Sequence, residues 1–392
     1  MLCQQNWDIG LAFNAKNLAK EFAKQNQVLF VNLPLDLNTV LKSAGDPAVK
    51  QRVRVWRGQA ESLVQAAPNL WVLTPPVLSI SINWLSSNKL FRKLNRWNSQ
   101  LLAASIRKAT EAIGFSSFHF FQDGIIPQGL EMRNLLSPTT FTYYVRDYVL
   151  GQPYFRRHGP WVEAELCRQA DVVVANSAYL GDYAREHNPH SYDIGQGCVL
   201  AQYDATVEHA MPADLTAVPR PTIGYTGFLT EMRLDIDLLL TIARERPHWN
   251  LVMIGPEDEA FQRSALHGLP NVFFLGSKRP DQLAAYLQHF DVCINPQLAN
   301  ELTQGNYPLK IDEYLAMGRP VVATHTRAMD LFAPYTYLAH NTADWLRLLE
   351  QALAEAGPRP AAEGIAFAQS HTWAASAQAT YQALAATQLQ AV

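Results

Sequence analysis

The sequence predicts an α/β protein built from two doubly wound domains with parallel sheets. Three observations carry this. Short β-rich runs alternate with helical patterns along nearly all of the 392 residues. Several runs are apolar with little alternation, as strands covered on both faces should be. A proline-punctuated stretch near the middle leads into a fresh strand ending in a glycine turn, Thr222-Ile223-Gly224-Tyr225-Thr226-Gly227. Strand–helix alternation implies parallel pairing through crossover helices.

The opening strand is short. Only Leu2-Cys3-Gln4 precedes Trp7-Asp8-Ile9-Gly10, so either the strand is minimal or part of it lies upstream. A helix at Ala15–Phe22 and a strand at Val28–Asn32 follow. Further strands are expected at Leu70–Leu73, Ser117–Phe121, Thr140–Val145, Asp171–Ala175 and Tyr192–Gly195. Helix Asn88–Thr110 carries Leu90, Leu94, Trp97 and Leu101 on one stripe, at helical spacing. Around 204–220, Met211-Pro212 and Val218-Pro219-Arg220-Pro221 read as an extended linker. Beyond it, strands are expected at Thr222–Thr226, Asn250–Ile254, Val272–Leu275, Val292–Asn295 and Pro320–Ala323. Helices alternate with them at Leu234–Glu245, Asp281–His289, Leu309–Met317 and Thr342–Ala356. The Ala-rich tail Trp373–Gln388 is helical by propensity. The expected division is a domain over 1–205, a second over 206–372, and a C-terminal helix over 373–392.

Composition narrows the function. A hydrophobic fraction of 48% with 17% charged residues excludes a mainly disordered chain. A net charge of −3 excludes strong global attraction to nucleic acid. That total hides an uneven distribution: residues 1–205 carry +4 and residues 206–392 carry −7. Within 42–108, eleven basic residues face only Asp46 and Glu61. Two readings of helix Asn88–Thr110 stay open: a core helix with a solvated basic face, or a surface helix touching anionic lipid. Cys3, Cys167, Cys198 and Cys293 have no metal-site spacing and no disulfide framework, which fits a reducing compartment. With no membrane-length apolar run and no signal-peptide pattern, the expected setting is cytoplasmic, with peripheral contact at the inner membrane face open. No G-x-G-x-x-G follows a strand, which argues against a dinucleotide dehydrogenase.

The stretch richest in chemistry is Asn306-Tyr307-Pro308-Leu309-Lys310-Ile311-Asp312-Glu313-Tyr314-Leu315-Ala316-Met317-Gly318-Arg319-Pro320. Pro308 suits a first helical turn and Gly318 a helix end. Lys310 and Glu313 then share one face of a helix of about nine residues, near its N-terminus. A cation beside free backbone N–H groups suits phosphate, and a carboxylate suits two neighbouring hydroxyls.

These residues resemble the donor-binding motif of GT-B-fold glycosyltransferases of the retaining family 4 type (glycosyl transferases group 1), in a bacterial polysaccharide or lipid-glycan branch. The resemblance implies a GT-B fold, with two Rossmann-like domains facing across a cleft. It implies that Glu313 holds a nucleotide ribose. The family's second glutamate, eight positions earlier, is Gly305 here. The segment Gly224 to Asp235 is similar to the family's first donor strand and loop; Arg233 matches its diphosphate lysine, while its arginine is Phe228. Gly255 ends the segment matching the second donor strand. The donor set implied is Gly227, Arg233, Gly255, Asn306, Leu309, Lys310 and Glu313. In the first domain, Asp8, Gly10, Asn14 and Arg146 are the acceptor-binding candidates, and Asp123 and Asp147 the candidates for proton uptake. Capping is the alternative for Asp8 or Asn14, and a structural ion pair for Arg146 and Asp147. His119, inside its strand, reads as a packed core side chain, and Arg156, Arg157 and His158 as a solvated loop, with a clasp for a phosphate on the acceptor as the alternative.

The implied function is transfer of a sugar from a UDP- or GDP-sugar to a hydroxyl of a glycan or lipid-linked acceptor, with retention. The nucleotide-sugar is a co-substrate; no metal or other cofactor is expected, since placed cations can take the diphosphate charge. Two other readings are a nucleotide-sugar epimerase on this scaffold and a non-catalytic nucleotide-sugar-binding subunit.

Overall fold

The computed structural model describes residues 1–9, 13–152, 154–355 and 362–390. The chain divides into two compact units, residues 1–197 with 373–392, and residues 198–372. The proline-rich stretch before Thr222 is not the extended linker expected: it turns over 213–217, where Leu215 N and Thr216 N donate to Pro212 O, and it lies within the second unit's range. Its Leu215 and Val218 are buried there beside Tyr203, Val252 and Phe290. The last helix, Trp373–Gln390, belongs to the first unit, where Trp373 and Ala377 share an apolar cluster with Leu18 and Phe30.

In the first unit the strands are β1 (Leu2–Cys3), β2 (Val28–Val31), β3 (Leu35–Asp36), β4 (Leu63–Ala67), β5 (Leu70–Leu73), β6 (Leu78–Ser79), β7 (His119–Asp123), β8 (Thr140–Val145), β9 (Val172–Ala175) and β10 (Ser191–Asp193). Eight form one sheet in the order β10-β9-β8-β7-β1-β2-β5-β4, and β3 pairs with β6 apart from it. Every pair in the large sheet is parallel except β4 with β5. The second unit has β11 (Thr222–Thr226), β12 (Asn250–Ile254), β13 (Val272–Gly276), β14 (Val292–Asn295), β15 (Val321–Thr324) and β16 (Tyr337–Ala339). They form an all-parallel sheet ordered β13-β12-β11-β14-β15-β16.

Both sheets reverse direction at their first strand, β1 in one and β11 in the other. Such switch points open a crevice beyond the carboxyl ends of the strands, where ligands of these folds bind. The central strands are apolar because helices cover both faces. Val172, Val173 and Val174 are wholly buried, each contributing about 1.5–3 kcal/mol of burial. Helix Ile236–Glu245 shows the local logic. Asp235 caps it by accepting from the Leu238 amide at 2.9 Å, and Leu238, Leu239, Ile242 and Ala243 form the face it buries.

Three further expectations need correction. Helix Asn88–Ala112 does not bury the Leu90–Leu94–Trp97–Leu101 stripe. It buries Phe91, Asn95, Asn98, Ser99, Leu102 and Ile106, leaving Leu90 and Trp97 more than 40% exposed. The reason is that Asn98 bonds both the N–H and the C=O of Ile80 and Asn95 bonds Pro127 O, so polar side chains face inward. His119 is not a core residue; it is the exposed first residue of β7, because that strand starts two residues later than expected. His158 is not solvated: it is buried, stacked on Phe91 at 4.0 Å, with Nε2 2.8 Å from Leu85 O. Arg156 and Arg157 beside it are exposed.

Candidate functional site

The best-formed site lies at the switch point of the second sheet. β11 is buried along its whole length and ends at Gly227, which has φ +137°. Gly255, after β12, has φ +149°, and a Cβ there would sit 1.8 Å from the Gly227 carbonyl oxygen. Only glycine allows the two turns to nest so closely. A Cβ on Gly227 would stand 3.3 Å from Cε and 3.5 Å from Nζ of Lys310. The Lys310 ammonium therefore rests against bare backbone, and it lies 4.9 Å from the centre of the Tyr225 ring. It forms no ion pair among the described residues.

Helix Lys310–Ala316 is fixed to β11 by Tyr314, whose hydroxyl accepts from the Thr226 amide at 2.9 Å. The helix ends as expected at Gly318, at φ +63°. Glu313, half-buried, accepts a hydrogen bond from the hydroxyl of Tyr203. Burial pushes its pKa up to about 7, against the pull of Lys310 and Tyr203, with Asp312 adding to the rise. Asp312 is wholly buried and gathers several segments. His371 Nδ1 lies 2.7 Å from one of its oxygens, and the Tyr307 hydroxyl (2.8 Å) and the Cys198 thiol (3.2 Å) donate to the other.

Asn306 is buried, whereas Leu309 is 40% exposed. Arg233 is exposed, with no ion pair among the described residues. Its loop is held by Leu298 N, which donates to Arg233 O at 2.8 Å, and by Asn300, which donates to Met232 O. At the carboxyl ends of β14 and β15, both polar side-chain atoms of Asn295, Oε1 of Gln297 and the hydroxyls of Thr324 and Thr326 are buried without protein partners. Buried polar atoms are rarely left so, and their concentration at the ligand-binding end of the sheet suits a polar guest. A lone cation, a half-buried carboxylate and surplus hydrogen-bonding groups can together hold a phosphorylated polyol.

The first-unit candidates are placed differently. Asp123 ends β7 opposite Cys3 of β1, at that sheet's switch point. It is wholly buried, and Arg146 Nε donates to it at 2.7 Å. Burial raises its pKa, opposed by Arg146. Arg146 also holds Asp147 at 3.0 Å, and Asp147 is 38% exposed. The three thus form one ion-paired group with Asp147 at its solvent side. Asn14 does not cap its helix, whose N-cap is Phe13. Its amide instead donates to Gln196 at 2.8 Å and to the Tyr144 hydroxyl at 3.3 Å, and Asn176 also donates to Gln196. Asp8 is exposed, and Gly10 lies outside the described residues.

Sequence reasoning missed Tyr203, Tyr225, Asn295, Asp312 and His371. Asp312, a carboxylate beside Glu313 on an otherwise apolar face, carried the one available signal. Tyr203 lay in a stretch read as leading into a linker.

Residues 220–354 match the family model described as glycosyl transferases group 1. The chain is 29% identical over 184 residues to TuaH of Bacillus subtilis (strain 168), a protein named for glycosyltransfer in teichuronic acid biosynthesis; the match covers 45% of this chain and 46% of that one. The chain thus spans about half the length of this curated relative. Among solved structures it resembles sucrose-phosphate synthase of Thermosynechococcus elongatus, at 17% identity and TM-score 0.66, over 100% of this chain and 99% of that one. It also resembles Anabaena Alr3699/HepE in complex with UDP, at 16% identity and TM-score 0.64, over 98% of both chains. The fold is GT-B.

Proposed function

We propose that this GT-B chain, whose residues 220–354 form a group 1 glycosyltransferase domain, transfers a sugar from a nucleotide-sugar to a hydroxyl group. The observation that carries the reading is the Lys310–Gly227–Gly255 cradle with Glu313 one helical turn from Lys310. In this reading Glu313 accepts hydrogen bonds from the ribose. Lys310 lies on the diphosphate and Arg233 reaches it from the facing loop. These cations stabilise negative charge that develops on the leaving diphosphate, so no metal is called on for that task. A UDP- or GDP-sugar donor and retention at the anomeric carbon are the further parts of the proposal. The Anabaena relative with bound UDP supports the first.

The acceptor is proposed to be a glycan or lipid-linked glycan, taken up near Asp8, Gly10, Asn14 and the Arg146–Asp147 group, in polysaccharide assembly at the cytoplasmic face of a membrane. The Bacillus relative's name supports polysaccharide. No helix among the described residues is long and apolar enough to cross a membrane. Exposed Trp84, Leu90 and Trp97 beside Lys89, Lys93 and Arg96 suit contact with anionic lipid. Co-sedimentation with vesicles containing phosphatidylglycerol tests that contact; salt-insensitive absence from the pellet refutes it. The donor reading is tested by thermal shift with UDP, GDP, ADP and their glucose conjugates. Stabilisation by one base and its sugar is expected, and none by any refutes the reading.

A second reading keeps the donor site without the chemistry. Gly305 and the exposed Phe228 stand where relatives of this type carry a glutamate and an arginine, which favours a nucleotide-sugar-binding subunit. Release of UDP from UDP-sugar in the presence of a cell-envelope fraction, abolished in Glu313→Ala, excludes it.

A further inference from the structure

Helix Lys310–Ala316 carries both groups that lie at the heart of the donor reading, yet it has only seven residues. So short a helix does not hold its own place, and its neighbours must set it. Successive side chains leave it at intervals of about 100°. Seen from Glu313, Tyr314 leaves about 100° to one side and Asp312 about 100° to the other. Lys310 lies about 60° from Glu313, on the Tyr314 side. Ile311 and Leu315 point away from Glu313, into the apolar cluster that includes Phe290 and Cys293.

Each of the three closed sides has its own anchor. On one, Tyr314 accepts from Thr226 N at 2.9 Å. At the back, Ile311 and Leu315 pack in the core. On the other, Asp312 is wholly buried and bonds three separate segments: His371 Nδ1 at 2.7 Å, the Tyr307 hydroxyl at 2.8 Å and the Cys198 thiol at 3.2 Å. These partners are themselves fixed. Cys198 N donates to His371 O at 2.8 Å, and Cys198 pairs with Thr372 as a parallel bridge. The His371 ring stands edge-on to Phe367 at 4.5 Å, and its Nδ1 is also 3.0 Å from the Tyr307 hydroxyl.

A buried carboxylate is a costly way to fill such a place, since an apolar side chain of similar volume is often as stabilising or more so. What the carboxylate adds is direction. Its two oxygens meet residues 198, 307 and 371 together at one roll angle of the helix. The apolar packing at the back is non-directional, and the single bond at Tyr314 leaves the helix free to turn about it. Side-chain tips stand about 5–6 Å from a helix axis, so a roll of about 10° carries them roughly 1 Å. A misplacement of that size can cost about 10²-fold in rate.

We infer that Asp312 is a positioning residue of the proposed nucleotide site: bonded to His371, Tyr307 and Cys198, it sets the roll of the helix that aims Lys310 and Glu313 at the donor. The inference rests on the donor reading of those two residues. Asp312 does not itself meet the donor; it acts through the backbone it shares with them.

The test is affinity for UDP, GDP and ADP by isothermal titration, set beside Tm; the tightest of the three for the wild type is the probe. Asp312→Leu keeps the branching at Cγ, removes the acceptor, and leaves Tyr307 and His371 to bond each other. It should bind the probe roughly 10-fold more weakly. Asp312→Asn keeps an oxygen for Tyr307 and Cys198, and its amide N–H faces His371 Nδ1, which accepts in the other tautomer. It should bind within about 3-fold of wild type. In a Glu313→Gln background, Asp312→Leu should cost less than it does alone, because Glu313 is one of the groups it aims. If Glu313→Gln weakens binding while Asp312→Leu lowers only Tm, the positioning role is overturned and the donor reading stands. Asp312→Asn as weak as Asp312→Leu overturns the directional argument. Binding of none of the three by the wild type, or equal affinity in Glu313→Gln, overturns the donor reading and this inference with it. Should Asp312→Leu not fold, Tyr307→Phe removes a single hydroxyl and is expected to weaken binding about 3-fold; wild-type affinity in that variant overturns the inference.

Discussion

Glu313 offers the sharpest test of the proposed donor site, because a raised pKa there would couple nucleotide affinity to pH. With a pKa near 7 in the free protein, it is mostly ionised at pH 8 and mostly protonated at pH 5.5. Only the ionised form accepts from both ribose hydroxyls as a charged partner. Exchanging two charge-assisted hydrogen bonds for neutral ones costs roughly 2 kcal/mol, about 30-fold in Kd. Protonated glutamic acid and glutamine resemble each other in shape and hydrogen-bonding capacity, so Glu313→Gln mimics the low-pH state. The nucleotide's terminal phosphate also titrates in this range, and the ratio of variant to wild-type Kd cancels its effect. Isothermal titration with UDP should give a ratio of about 30 at pH 8 that falls towards 1 by pH 5.5. A ratio independent of pH would show that Glu313 does not meet the ribose, or that its burial does not set its charge.

Other outcomes follow from groups described above. Lys310→Met should lower kcat/KM for donor by roughly 10²-fold or more while leaving the melting temperature nearly unchanged, since its ammonium has no ion pair to lose among the described residues. Arg146→Ala leaves Asp123 buried without its cation and should destabilise the protein by about 3–5 kcal/mol, read by urea unfolding; Arg146→Ala with Asp123→Asn should recover much of that. Glu163, buried against the hydroxyls of Tyr143 (3.0 Å) and Tyr183 (2.9 Å), has its pKa raised to about 7, chiefly by burial. The folded state therefore holds its proton at pH values where the unfolded chain has lost it. Relative to Glu163→Gln, wild-type stability should fall as pH rises from 4.5 to 7, by about 3 kcal/mol in all. A rise across that window contradicts the burial argument.

The fold was legible because both sheets are covered on two faces and announce themselves as apolar runs. Thr140–Val145, Thr222–Thr226 and Asn250–Ile254 fall where the sequence puts them. The elements missed were those with little to bury. β4 is an exposed edge strand, and β3 and β6 have two residues each. Helix Asn88–Ala112 misled in the opposite way. Its inward face is held by asparagine and serine hydrogen bonds, which hydrophobic periodicity cannot register, so leucine and tryptophan were assigned to the wrong side. At the second-unit site, Lys310 and Glu313 were legible from spacing within one short helix. Tyr203 and His371 were not, because they come from segments 110 and 58 residues away from Glu313 that only the folded chain brings to one helix.

The knot around Asp312 bears on how the second unit can be cut out for study. Cys198 is the first residue of that unit, and His371 stands next to its last. Both reach the carboxylate that neighbours Glu313, as does Tyr307 from the preceding loop. A fragment spanning residues 220–354, the extent of the family match, keeps the helix but loses Cys198, Tyr203 and His371. It would carry the recognisable sequence motif while leaving a buried carboxylate short of two of its three partners. The smallest piece that keeps the proposed nucleotide site whole is therefore set by a hydrogen-bond network and not by the limits of sequence similarity.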